Sequence, residues 1–191
     1  MNRRGYFAGW CLAAGFAMAG CAEEAVESGA GEPAGEAGAA LLPSQLLENK
    51  LVSVQDGEVR EYRDADLAGK DYLLIYFGAS WCVYCRNFTP TLVDFYKELR
   101  EEYDNFEIIL AGEDETAADQ NGYLIDAGIP FPAIAFDKLD EAGAIWEHRT
   151  ETIPGFVLLD AEGGVVETSP PVRRPEFFPI VEAAIKNEEP L

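Results

Sequence analysis

Positive charge, histidine and methionine are scarce in this chain. Its 191 residues hold 14 Lys and Arg against 35 Asp and Glu, a formal net charge of −21. Such a surface repels phosphate backbones and argues against nucleic acid as a partner. The single histidine, His148, lies in a polar run and reads as a surface residue. Only two of the four cysteines, Cys82 and Cys85, are near enough to share a site, so a closed zinc centre of about four ligands would need chance carboxylates to complete it. Two methionines are too few for a copper-binding stripe. No cofactor is called for and no internal repeat is visible. A hydrophobic content of 48%, with 12% aromatics, is enough to close one ordinary core.

The first forty residues read as something other than fold. Arg3 and Arg4 precede an apolar stretch from Gly5 to Ala19, too short to span a bilayer comfortably, which predicts an export signal over residues 1–20. Its end, Met18-Ala19-Gly20-Cys21, resembles a bacterial lipoprotein box, which implies that Cys21 is lipidated and tethers the protein to a membrane. The alternative is an ordinary A-x-A cleavage site at Ala17-Met18-Ala19, and Arg3-Arg4 also resembles a twin-arginine signal. Each reading places the protein outside the cytoplasm, in a bacterial periplasm for the first, and removes Cys11 with the leader. Residues 21–40 follow as a tether. From Ala22 to Ala40 there are seven Ala, five Glu and four Gly, with Val26 the one sizeable apolar side chain, too little to order the segment. Nineteen such residues span about 25 Å root-mean-square.

Residues 41–191 are expected to form one domain. Tyr72-Leu-Leu-Ile-Tyr-Phe77 is an uninterrupted apolar run, the pattern of a strand buried on both faces. Phe88, Leu92, Phe95 or Tyr96, Leu99 and Tyr103 then recur every three to four residues, an amphipathic helix that Pro90 should kink. Phe106–Ala111 is a second strand, parallel to the first because a helix separates them. A helix over 116–127, an antiparallel hairpin over 155–168, a last helix over 176–187 and an early hairpin about Asp56-Gly57 complete the reading. The class is α/β, a three-layer sandwich with helices on both faces of a mixed sheet.

The chemistry points to Cys82 and Cys85. Two cysteines three apart at a strand-to-helix junction can close a small disulfide ring, and the helix N-terminus favours the thiolate of the first. Cys82 is then the nucleophile, and Cys85 resolves the mixed disulfide. A structural disulfide is the bland alternative, although a ring this small constrains the unfolded chain little. A peroxidase would need a Thr-x-x-x-Cys arrangement that does not precede Cys82. Trp81 flanks the pair as an apolar docking surface, or packs beside the strand.

The stretch Tyr76-Phe-Gly-Ala-Ser-Trp-Cys-Val-Tyr-Cys-Arg-Asn-Phe-Thr-Pro90 resembles the active-site segment of the thioredoxin superfamily, in its tryparedoxin and nucleoredoxin branch. The likeness continues through Phe131-Pro132, an apolar strand and Ile153-Pro154. It implies a thioredoxin-like fold and a protein-disulfide reductase acting on thiols and disulfides of exported proteins, fed by an electron donor of unspecified identity. It also implies that Pro154 is cis and faces the dithiol, with Ile153 pairing with client backbone. The sequence departs from ordinary thioredoxins at Tyr76, where they carry a buried acid, and at Val83-Tyr84 between the cysteines. The base for Cys85 therefore stays open, with water or the Glu113-Asp114-Glu115 cluster as candidates. Those carboxylates and Glu151 oppose thiolate formation, with Arg86 the adjacent cation, so a reducing couple is expected.

Overall fold

The computed structural model describes residues 42–169 and 174–187. The export signal, Cys21 and the tether lie outside the described residues, as does Leu41. In chain order the elements are α1 (Pro43–Leu46), β1 (Leu51–Gln55), β2 (Glu58–Glu61), β3 (Tyr72–Gly78), α2 (Val83–Arg100), β4 (Phe106–Gly112), α3 (Ala117–Asp126), β5 (Ala133–Ile134), α4 (Gly143–Trp146), β6 (Gly155–Asp160), β7 (Val165–Thr168) and α5 (Arg174–Lys186). The strands form one sheet in the order β2-β1-β5-β4-β3-β6-β7. β3 pairs in parallel with β4 and antiparallel with β6, so the strand that leads to Cys82 is interior to the sheet.

Alternation along the strands divides the core into two layers. Leu74 and Tyr76 of β3, Ile108 and Leu110 of β4, and Phe156 and Leu158 of β6 pack with Leu92 of α2, Leu124 of α3 and Val181 of α5. Leu73, Ile75 and Phe77, with Ile109, Val157 and Leu159, point the other way onto Leu47, Leu67 and Ile145. The continuous apolar runs of β3 and β4 follow from this burial on both faces.

Local chemistry sets the connections. Asp56 (φ +53°) and Gly57 (φ +79°) both occupy the left-handed region, as a two-residue hairpin turn with right-handed strand twist requires. Thr116 caps α3, its Oγ1 accepting from Asp119 N–H at 3.1 Å. Pro90 does not end α2, which runs as one element from Val83 to Arg100. The apolar strand expected after Phe131-Pro132 is only two residues long, β5, and the segment after it is built of short turns of helix over 136–146 that the sequence did not announce.

Glu107 is 2% exposed within β4, where it accepts from the Tyr62 hydroxyl at 3.1 Å and from Ile108 N–H at 3.0 Å. Burial, and then the nearby Glu107 charge, push the phenols of Tyr62 and Tyr96 well above their ordinary value near 10. The sign follows from linkage: above about pH 10 the unfolded chain ionises these tyrosines while the folded chain retains their protons. The stability they contribute is complete below the unfolded value and is lost as pH rises through the raised folded values. Urea midpoints should therefore fall steeply between about pH 10 and 11.5, and less steeply in Tyr96→Phe. Identical slopes for the two proteins would refute this assignment.

Candidate active site

The dithiol is placed by the end of β3. After Gly78 the chain turns through Ala79, Ser80 and Trp81, and Cys82 becomes the N-cap of α2 with extended backbone (φ −78°, ψ 107°). Its Sγ accepts from Cys85 N–H at 3.1 Å, satisfying one of the free donors at the helix start. Cys82 and Cys85 are joined in a disulfide with Cα atoms 5.2 Å apart. Cys85 is fully buried and Cys82 is 4% exposed. Around them the surface is apolar and open: Trp81 is 57%, Val83 55% and Tyr84 76% exposed. The exposed apolar surface at Trp81 thus continues over Val83 and Tyr84, the two residues between the cysteines.

The opposite wall is the loop before β6. The Ile153–Pro154 peptide is cis. Ile153 packs against Ala79, Cys82 and Cys85, and its carbonyl oxygen lies 3.9 Å from Cys82 Sγ. A cleft of about 290 Å³ opens beside Pro154, bounded by Arg149, Thr152, Thr168 and Ser169. Of the residues expected around Cys82, Cys85 and Ile153 meet it directly, Trp81 precedes it in the chain and Pro154 follows Ile153.

The loop after β4 locks the approach to α2. Glu113 N–H donates to the Gly78 carbonyl at 2.8 Å, and the Trp81 indole N–H donates to the Glu113 carbonyl at 2.9 Å. Ser80 N–H donates to Asp114 Oδ1 at 2.9 Å. Both residues preceding Cys82 are thus held by one dipeptide. The Glu113 carboxylate is gripped by Arg149, Nε to Oε1 at 2.8 Å and Nη2 to Oε2 at 2.6 Å. This corrects the expectation that Glu113 acts as a free carboxylate opposing the thiolate: an adjacent guanidinium offsets its charge. Glu115 and Glu151 are exposed, as is Arg86, and solvent screens all three.

Behind Cys85 lies a cluster of hydroxyls. Thr89 Oγ1 donates to the Cys85 carbonyl at 2.9 Å and lies 2.5 Å from the Tyr123 hydroxyl. The Tyr76 hydroxyl is 3.1 Å from Thr89 Oγ1 and 3.2 Å from that of Tyr123. Thr89 has one hydrogen and directs it to Cys85, so Tyr123 is the donor in its contact with Thr89. Burial pushes the Tyr123 phenol above its ordinary value. Tyr76 and its partners thus fill the position where ordinary thioredoxins carry a buried acid. Thr89, which stands in the family-like Phe-Thr-Pro stretch, and Tyr123, which the sequence did not mark, reach Tyr76 from two helices.

Comparison with known proteins places this arrangement. A family profile described as thioredoxin-like matches residues 69–165. The chain is 36% identical over 101 residues to a tryparedoxin of Trypanosoma brucei brucei, covering 52% of this chain and 67% of that protein. It is 32% identical to probable nucleoredoxin 1 of Arabidopsis thaliana, covering 66% of this chain but only 22% of that longer protein. The structure of tryparedoxin I from Leishmania major superposes with a TM-score of 0.56 at 32% identity, covering 75% of this chain and 95% of that one.

Proposed function

The chain belongs to the thioredoxin-like family and carries that family's CxxC redox disulfide at Cys82 and Cys85, and from this premise we propose that it reduces or isomerises disulfides in extracytoplasmic proteins. The observation that carries the reading is the juxtaposition at Cys82 of a helix N-terminus, an exposed apolar collar and the Ile153–Pro154 wall.

The exchange balances as follows. The Cys82 thiolate attacks one sulfur of a client disulfide, forming a mixed disulfide and expelling the other client sulfur as a thiolate that takes up a proton. Cys85 loses its proton and attacks Cys82 Sγ, closing the intramolecular disulfide and releasing the second client thiol. The client gains two electrons and two protons, and the dithiol is oxidised by the same amount. A thiol donor must then return the protein to the dithiol. Ile153 borders Cys82 and offers client backbone a carbonyl, while Trp81, Val83 and Tyr84 cover its apolar side chains.

Export and tethering are part of the proposal. They rest on the leader-like residues 1–20 and on Cys21, whose acyl chains would supply the two or more anchors that stable membrane attachment needs. Two readouts test the function and its place. Catalytic amounts of the protein should accelerate dithiothreitol-driven reduction of insulin, and a rate equal to that of dithiothreitol alone would contradict the reductase reading. In a native host the full chain should enter the detergent phase and Cys21→Ser should not; a mature N-terminus at Gly20 would refute lipidation.

A further inference from the structure

Arg149 stands on the rim between two clefts. One, of about 490 Å³, is bounded by Glu113, Asp114, Leu139, Asp140 and Trp146; the other is the cleft beside Pro154. Its guanidinium makes a two-pronged contact with the Glu113 carboxylate, 9% exposed, and lies 5.6 Å from the centre of the Trp146 ring. Glu113 is itself fixed to the end of β3 through Gly78, and its carbonyl holds the Trp81 indole. Arg149 also begins the loop that presents Ile153 and Pro154, a loop closed by the Thr150 hydroxyl donating to the Thr152 carbonyl at 2.9 Å. The pair thus ties the loop that leads to Ile153 and Pro154 to the segment that leads into Cys82.

We propose that Arg149 is a positioning residue that sets client affinity: by gripping Glu113 it fixes the Ile153–Pro154 wall at a defined distance from the Trp81 wall. The proposal rests on the reductase reading, in which those walls hold the client. The Arg149 side chain is half exposed, and a pair of that exposure adds little to global stability. Its geometry, two parallel N–H donors on one carboxylate, fixes orientation in a way a lysine ammonium would not. Chemistry at sulfur proceeds through Cys82 and Cys85, whereas the Arg149 guanidinium is engaged with Glu113 and Trp146. Loosening the grip therefore weakens client capture more than turnover.

The test is steady-state insulin reduction by the full chain. Arg149→Ala should raise KM about fivefold or more while kcat changes by less than about twofold. Arg149→Lys, which keeps the charge but not the fork, should fall between wild type and Arg149→Ala. Glu113→Gln should reproduce the KM effect, and the double variant Glu113→Gln/Arg149→Ala should be no worse than either single change. An unchanged KM in both single variants, or fully additive losses in the double, would overturn the positioning role while leaving the reductase reading intact. A wild-type protein that fails to reduce insulin would overturn both together, so the two failures are distinguishable.

Discussion

Cys82→Ser is expected to lower protein-disulfide reduction by about a thousandfold or more, whereas Cys85→Ser should stall with the client covalently attached to Cys82. The asymmetry comes from the positions of the two sulfurs. Cys82 is the cap of α2: it receives the Cys85 N–H at 3.1 Å, sits at the positive end of an 18-residue helix, and lies against the open collar of Trp81, Val83 and Tyr84. Cys85 is fully buried one turn deeper and meets a client only through Cys82. Serine is itself a good helix cap, so Cys82→Ser should fold normally and its loss of activity should be a loss of chemistry. In Cys85→Ser the first exchange still runs, and the mixed disulfide accumulates because nothing resolves it. Non-reducing gels with insulin or a disulfide peptide would show this adduct in Cys85→Ser and not in Cys82→Ser. Adducts in both variants, or in Cys82→Ser alone, would reverse the roles.

The second large effect concerns the direction of electron flow. Equilibrated with thiol buffers, the Cys82–Cys85 couple is expected nearer to about −270 mV, the value of a reducing thioredoxin, than to about −120 mV, that of a strong oxidant. The interval of about 150 mV corresponds to about 7 kcal/mol of differential stabilisation of the dithiol, far more than a screened surface charge supplies. A strong oxidant needs a heavily stabilised thiolate, with a cation beside the sulfur. Here the helix dipole and one backbone N–H act on Cys82. Arg86 is exposed, and Arg149 is committed to Glu113. The pairing of Glu113 removes one source of opposition to the thiolate but supplies no net positive charge, so a reducing couple remains the expected result. A potential above about −150 mV would show that the protein oxidises its clients.

The parts of this architecture that were legible in the sequence are those where one segment declares its own environment. Tyr72–Phe77 is apolar at every position because β3 is covered on both faces, and the three-to-four spacing from Phe88 to Leu99 follows from one buried stripe on α2. Asp56-Gly57 announces its turn through the backbone angles it permits. Cys82 and Cys85 were legible because the spacing of a redox pair at a strand-to-helix junction is local chemistry, whereas the cis peptide at Pro154 was implied only by the resemblance to the thioredoxin superfamily. Arg149–Glu113 and Thr89–Tyr123 were not: their partners are 36 and 34 residues apart, on different elements, and neither residue type carries a periodic signal. The turns over 136–146 are shorter than any period that could reveal them.

Competitive alkylation of the reduced native protein tests the central claim most directly. Brief treatment with iodoacetamide near neutral pH, followed by denaturation, a second isotopic label and peptide mass mapping, reads the reactivity of each cysteine separately. The account predicts rapid modification of Cys82, with Cys85 protected until the chain is unfolded. Equal rates, or faster labelling of Cys85, would contradict the assignment of Cys82 as the attacking thiolate.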